Sequence, residues 1–452
     1  MDSLQNNLQL NVTNRQIIKL TVPVSIAILV PQLNFIINNI FLGHYSSTTL
    51  AVASITGVYY LIFASIGFAL NNGLLALISR RAGENKPDEI GKIFNQGIFT
   101  ALLIAAVAVV ISYTVTPPLL RSILHEPEKA EMAINYLKIR IWGLPFLYIY
   151  QLRNALLVGT NQSKYLVMGT LAEAVANVLF DYTMIFGNWG FPELGFNGAA
   201  YASIISEFVG MFVIYLVIHQ KGITKQYALF KKMNWDKKNA SLITAMSGPL
   251  VFQHAISIIS WEFFFILIER NQQSDTPQAI SSVMRNVFGI FGTMSWAFAA
   301  TCNSMVSNII GQRKHDQVIY VINKIVRLST GISLLLCLML NLFPELFLSI
   351  FGQDKEFIAQ GIPVIRVVSF AMLLMSFSVI WLHAVTGTGN TKVTFLIEAI
   401  AIIFYSAYVY LIMEEFKLSI TFGWMSEWLY WTCMFIPAFF YLRSGKWKKK
   451  II

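Results

Sequence analysis

The chain has 452 residues, of which 56% are hydrophobic and 12% charged, half of the roughly 25% charged content usual in soluble domains. So little charge would leave large apolar patches facing water, which excludes a soluble enzyme and a disordered chain. Cys302, Cys337 and Cys433 all sit in apolar runs and supply neither a disulfide framework nor a Cys-x-x-Cys metal pair.

Apolar runs recur along the chain and predict helices over 17–42, 49–79, 94–118, 134–158, 164–187 and 195–218, then 241–268, 279–308, 321–344, 362–385, 391–413 and 419–443. Most exceed the roughly 18 residues that a spanning helix needs. Lipid tolerates no unpaired backbone groups, so the expectation is an all-α membrane protein. Twelve transmembrane helices would form two pseudo-symmetric six-helix bundles. The first run is too long for a cleaved signal and is interrupted by Asn34, Asn38 and Asn39.

The net charge of +10 is a topology signal rather than a nucleic-acid footprint. Basic residues gather at every second loop: Arg15 and Lys19; Arg80, Arg81, Lys86 and Lys92; Lys164; Lys221, Lys225, Lys231, Lys232, Lys237 and Lys238; Arg313, Lys314, Lys324 and Arg327; Lys392; and the tail from Arg443 to Lys450. The opposite loops hold only Arg121, Lys129, Arg270, Lys355 and Lys417. The positive-inside rule then puts both termini in the cytoplasm of a multi-pass cytoplasmic-membrane protein.

The longest basic loop divides the chain into a lobe over 1–218, a cytoplasmic linker over 219–240 and a lobe over 241–452. The lobes repeat one plan. Gly83–Asp88 aligns with Gly311–Asp316 and Gly159–Lys164 with Gly387–Lys392, both at an offset of 228. Pro23 aligns with Pro249 and Arg140 with Arg366 at an offset of 226. Repeats with an even helix count run parallel, the plan of many alternating-access carriers.

The residues at these places resemble the multidrug and toxin extrusion (MATE) family over nearly the whole chain. Asn39-Ile40-Phe41-Leu42-Gly43 is similar to its D-T-I-F-V-G, and Gly83–Glu89 to its G-A-G-D-P-E-E loop. Gly387–Lys392 matches its G-x-G-(D/N)-T-(K/R) loop. Asn177–Asp181 matches its N-x-x-x-D, and Gly198–Ser203 resembles its G-A-A-x-A-T. The resemblance implies a secondary antiporter that expels organic, often cationic and lipophilic compounds in exchange for sodium or protons. It also implies a cation site at Asn38, Asn177, Asp181 and Ser203. The chain departs from the pattern at Asn38, where the family usually has Asp, and at Ser257, where it often has Glu.

The residues alone point the same way. Asn177 and Asp181 share a helix face with Glu173, and an ionisable group inside a span is a functional candidate by default. At 1.5 Å per residue, Asp181, Asn38 and Ser203 lie roughly 8–12 Å below one membrane face. A hard cation would want oxygen ligands from several elements, whereas a proton needs one carboxylate. The missing second carboxylate favours the proton. Glu207, Glu173 and Arg153 fall in a deeper layer, where Arg153 is expected to pair with Glu173 or Glu207, as structure or as part of a proton route. In the second lobe Glu262 and Arg285 have matching depths and are expected to form an ion pair. Glu398, Glu427, His254 and His383 read as lone intramembrane groups. Tyr59, Tyr60, Tyr148 and Tyr150 are candidates to stack on a lipophilic cation.

No phosphate-loop, H-E-x-x-H or G-x-S-x-G motif occurs, so neither ATP hydrolysis nor a hydrolase site is expected. The expectation is therefore a non-enzymatic, monomeric carrier of a small molecule in the lipid bilayer, with no nucleic-acid partner. It needs no cofactor beyond its coupling ion and no metal beyond a sodium at the coupling site. A flippase for a lipid-linked precursor and a non-transporting scaffold are the rival readings.

Overall fold

The structure, a computed structural model, describes residues 8–124, 126–231, 234–271, 276–351, 355–450 and 452. Lys232 of the basic loop lies outside them. No strand occurs among the described residues. The first half contains α1 (Asn14–Tyr45), α2 (Ser47–Gly83), α3 (Pro87–Thr114), α4 (Thr116–Ile123), α5 (Pro127–Arg140), α6 (Leu144–Gly159), α7 (Leu166–Phe186) and α8 (Gly195–Gln220). After the short α9 (Ile223–Gln226) come α10 (Lys237–Asn271), α11 (Thr276–Gly311), α12 (Val318–Leu342), α13 (Pro344–Ser349), α14 (Lys355–Thr388), α15 (Thr391–Tyr410), α16 (Ile420–Trp424) and α17 (Ser426–Arg443). Eight helices of the described chain are individually long and apolar enough to cross a membrane. The broken pair α5–α6, together with α7, α11 and α17, completes twelve spans.

Local chemistry fixes the helix ends. The Thr13 hydroxyl accepts from the Gln16 amide at 3.1 Å at the start of α1, and Ser46 accepts from Thr48 at 3.2 Å at the start of α2. Pro87 opens α3, followed by Asp88 and Glu89 in its first turn, where proline lacks only an orphan donor and the acids meet the positive helix end.

The repeat extends to the backbone. Left-handed φ angles occur at Asn85 and Arg313, at Asn161 and Gly389, and at Trp189 and Lys417, each pair again 228 apart. One difference matters for the site. The element that is continuous as α14 is broken between α5 and α6 by a 3-10 turn at Ile141–Gly143. Pro145 cannot donate to the Ile141 carbonyl; the Leu144 amide does so instead. The helix expected over 134–158 therefore starts earlier and breaks in its middle. The third and twelfth predicted helices are also split, at Val115 and at Met425.

The chain folds into two compact units. One takes in residues 22–251, the other residues 9–21 and 252–452. In the first, residues 227–230 and Asp236 pack on α3. The Phe230 amide donates to Asn95 at 3.0 Å and the Asp236 amide to Gln96 at 2.9 Å, both acceptors being buried. At Gly91 a β-carbon would collide with the Tyr227 carbonyl, so glycine is required there. In the second unit, the start of α1 is tied down by the Leu10 amide on Asn308 at 3.0 Å and by Thr21 with Thr301 at 3.0 Å.

Candidate functional site

In the first unit, α1 and α7 bring Asn38 and Asp181 together. The Asn38 Nδ2 lies 3.3 Å from each carboxylate oxygen of Asp181. Asp181 is fully buried and Asn177, one turn before it, is buried too. Ser203 is half-buried on α8. Among the described residues neither Asn177 nor Ser203 hydrogen-bonds to Asp181; Ser203 uses its carbonyl to accept from Ser206 at 2.8 Å.

The deeper layer is organised by Arg140, which the depth argument passed over. Its guanidinium grips Glu207 in a two-pronged pair, Nη1 to Oε2 at 3.0 Å and Nη2 to Oε1 at 2.5 Å, and stands 3.9 Å from the centroid of the Tyr60 ring. The pair is well buried, with side-chain exposures of 11% and 7%. Arg140 is the last residue of α5, just before the 3-10 break. A β-carbon on Gly143 would overlap both partners, so the break and its glycine make room for the pair.

The expected pairing of Arg153 with Glu173 or Glu207 does not form. Arg153 donates to the Met211 carbonyl and lies 5.8 Å from the Tyr215 ring centroid. Glu173 keeps a buried Oε2 without a hydrogen-bond partner. The reason is helix length. Counted from Pro127, Arg140 is about 20 Å along its helix, and Glu207 is about 18 Å along α8 from Gly195, so these two are level. All four tyrosines offered as cation-stacking groups are engaged internally. Tyr60 takes the Arg140 cation, Tyr148 donates to the Phe63 carbonyl at 2.7 Å, and Tyr150 pairs with Thr170 at 2.7 Å. Tyr59 bonds Thr116 at 2.5 Å.

In the second unit, α10 and α11 bring Glu262 and Arg285 into an ion pair, with Phe265 and Trp261 at 4.1 and 5.0 Å from the guanidinium. Glu398 is not a lone group. Its buried carboxylate accepts from Gln253 and Ser257 of α10 and from the Tyr430 hydroxyl of α17 at 2.8 Å. Ser257, standing where the resembling family often has Glu, therefore touches a carboxylate supplied by α15. Glu427 is also buried, and His383 has a buried Nδ1 without a partner. Among the described residues no cluster of three or more His, Cys, Asp or Glu could hold a metal ion.

Known proteins match this architecture. The MatE family model fits the chain twice, over residues 23–183 and 249–411. The starts of the two matches are 226 apart and their ends 228 apart, the offsets of the internal repeat. The probable multidrug resistance protein NorM of Thermotoga maritima is 23% identical, covering 97% of this chain and 94% of its own. That of Halalkalibacterium halodurans is 30% identical over 48% of each. Among solved structures, a MATE transporter in complex with MaL6 superposes with a TM-score of 0.90 at 16% identity over 98% of this chain and 99% of its own. A MOP superfamily transporter from Pyrococcus furiosus gives 0.88 at 16% identity over 99% and 98%. With both halves matched and the twelve-helix fold shared end to end, this chain is a multi-pass membrane protein belonging to the MatE family of multidrug efflux transporters.

Proposed function

We propose that this protein is a proton-coupled antiporter that exports lipophilic or cationic organic compounds by alternating access, with Asp181 as its coupling group. The observation that carries the reading is the environment of Asp181. It is fully buried, its one hydrogen-bond partner among the described residues is the neutral amide of Asn38, and the nearby Arg140 is already committed to Glu207. An ionised carboxylate is costly in such a place and a protonated one is not. A proton arriving from one side and leaving to the other would then bias the first unit between two conformations. Asn177, one turn before Asp181, and Ser203 on α8 would supply further oxygen atoms to the same layer, and the Arg140–Glu207 pair with Glu173 forms the next charged layer. The alternating pattern of basic loops supports cytoplasmic termini. The carrier needs no cofactor besides its coupling ion and works as a monomer.

The test is dye efflux from proteoliposomes with proton and sodium gradients imposed separately. Efflux should run on the proton gradient without sodium and collapse on adding a protonophore. Efflux that persists until sodium is removed would overturn proton coupling.

A further inference from the structure

One face of α12 changes character along its length. Tyr320, Lys324, Arg327, Gly331, Leu334 and Leu338 succeed one another at three- and four-residue intervals, so they form a single stripe. Its first part is polar and cationic. Its second part is apolar and open: Leu334, Leu335, Leu338 and Leu342 are 46–69% exposed, and a β-carbon on Gly331 would meet nothing within 4 Å.

The polar part lies against a cavity of about 220 Å³, lined by Asn14 at the start of α1 and by Tyr320, Asn323, Lys324, Arg327 and Leu328. The lining holds two cations and two amides and no acid. Among the described residues Arg327 has no ion pair. Lys324 is posed rather than neutralised: its ammonium donates to the Val12 carbonyl at 3.1 Å and stands 3.5 Å from the Tyr320 hydroxyl, with a proton left for another acceptor. Both cations sit well inside the helix, about 9 and 14 Å beyond Val318. Cations so placed in a span call for an anionic partner, and among the described residues neither Lys324 nor Arg327 has one.

We propose that this cavity and stripe bind an anionic phospholipid. Its phosphate sits between Lys324 and Arg327, with Asn323 and Tyr320 as further donors, and one acyl chain lies along Gly331, Leu334, Leu335 and Leu338. From Arg327 to Leu342 the apolar track runs about 22 Å, the scale of an extended acyl chain. Charge selects the headgroup, and the open glycine lets the first methylenes lie close to the helix backbone.

The experiment is native mass spectrometry of the purified full-length protein in neutral detergent, titrated with phosphatidylglycerol, phosphatidylcholine or inorganic phosphate. Phosphatidylglycerol should bind at a saturable site and phosphatidylcholine should not. Lys324→Gln/Arg327→Gln should weaken phosphatidylglycerol binding about thirtyfold, whereas Lys448→Gln/Lys449→Gln, in the basic tail, should leave it unchanged. Gly331→Phe fills open space, keeps both cations, and should also weaken lipid binding; it serves if the double variant fails to fold. Equal binding of the two lipids, or unchanged binding in both the double variant and Gly331→Phe, overturns the proposal. So does inorganic phosphate that competes fully with the lipid, since the cavity would then be a site for the free ion.

Discussion

Asn38 holds Asp181 symmetrically, one amide nitrogen 3.3 Å from each carboxylate oxygen. An amide that donates to either oxygen tolerates both protonation states, because a protonated carboxyl keeps one acceptor oxygen for it. An acid at position 38 would not. Asn38→Asp would set two carboxyl groups at hydrogen-bonding distance, which share a proton unless a cation joins them. The variant should therefore move the pH profile of efflux or make it respond to sodium, whereas Asp181→Asn should fold and reach the membrane but lose gradient-driven efflux. Proteoliposome rates at matched protein content check both. Wild-type transport by Asp181→Asn would move the coupling role to Glu207 or another acid.

Arg140 and Glu207 should be the most costly pair in the first unit to break. Both are largely buried and the contact is two-pronged, so removing one partner leaves an uncompensated charge, at a cost of about 3–5 kcal/mol. Glu207→Gln and Arg140→Gln should each lower the detergent melting temperature strongly. The double variant should recover part of the loss, since no lone charge remains. Gly143→Ala should mimic the single variants without touching a charge, because its methyl group invades the pair. Melts in which all four proteins match wild type would show that the pair contributes nothing.

The twelve spans and the duplication were legible because both are written in hydropathy and in constant offsets; even the left-handed turn positions repeat at 228. Arg140 was not legible as the partner of Glu207, since residues 126–131 contain Glu126, Glu128, Lys129 and Glu131 and resemble a loop. Placed against a helix starting at 134, Arg140 looks shallow. Pro127 followed by Glu128 was the available signal, a proline and an acid in a helix's first turn. Glu398 looked lone for a different reason. Its α10 partners are 141 and 145 residues away in the chain, and no local period links them.

The Glu262–Arg285 pair is more open than the one in the first unit, with side-chain exposures of 25% and 35%. Solvent or headgroup screening reduces such a pair towards about 1 kcal/mol. Glu262→Gln should therefore shift the melting temperature much less than Glu207→Gln, and the exchange Glu262→Arg with Arg285→Glu should restore most of that small loss. Stacking of the guanidinium on Phe265 and Trp261 adds a contribution that charge exchange cannot recover. A single-variant shift as large as that of Glu207→Gln would mean the pair is sealed from water in the membrane.

Asp236 gives the fold an acid-sensitive joint outside the membrane spans. Its carboxylate accepts from the amides of Lys238 at 2.9 Å and Asn239 at 3.3 Å, and from the Asn239 side chain at 2.7 Å, capping α10. These bonds, the Asn239 amide first among them, hold the carboxyl below its ordinary value. A group whose native value is lowered binds its proton more readily when unfolded, so its contribution is complete above the ordinary carboxylate range, near 4, and fades as pH falls through the lowered native value. Asp236→Ala should cost about 0.5–2 kcal/mol at neutral pH through the lost cap. Asp236→Asn should cost less, because its amide oxygen still caps while its charge is gone. In melts run from pH 7 to pH 3, the gap between wild type and Asp236→Ala should narrow with acidification. A gap that stays constant across that range would show that the charged form has no part in the cap.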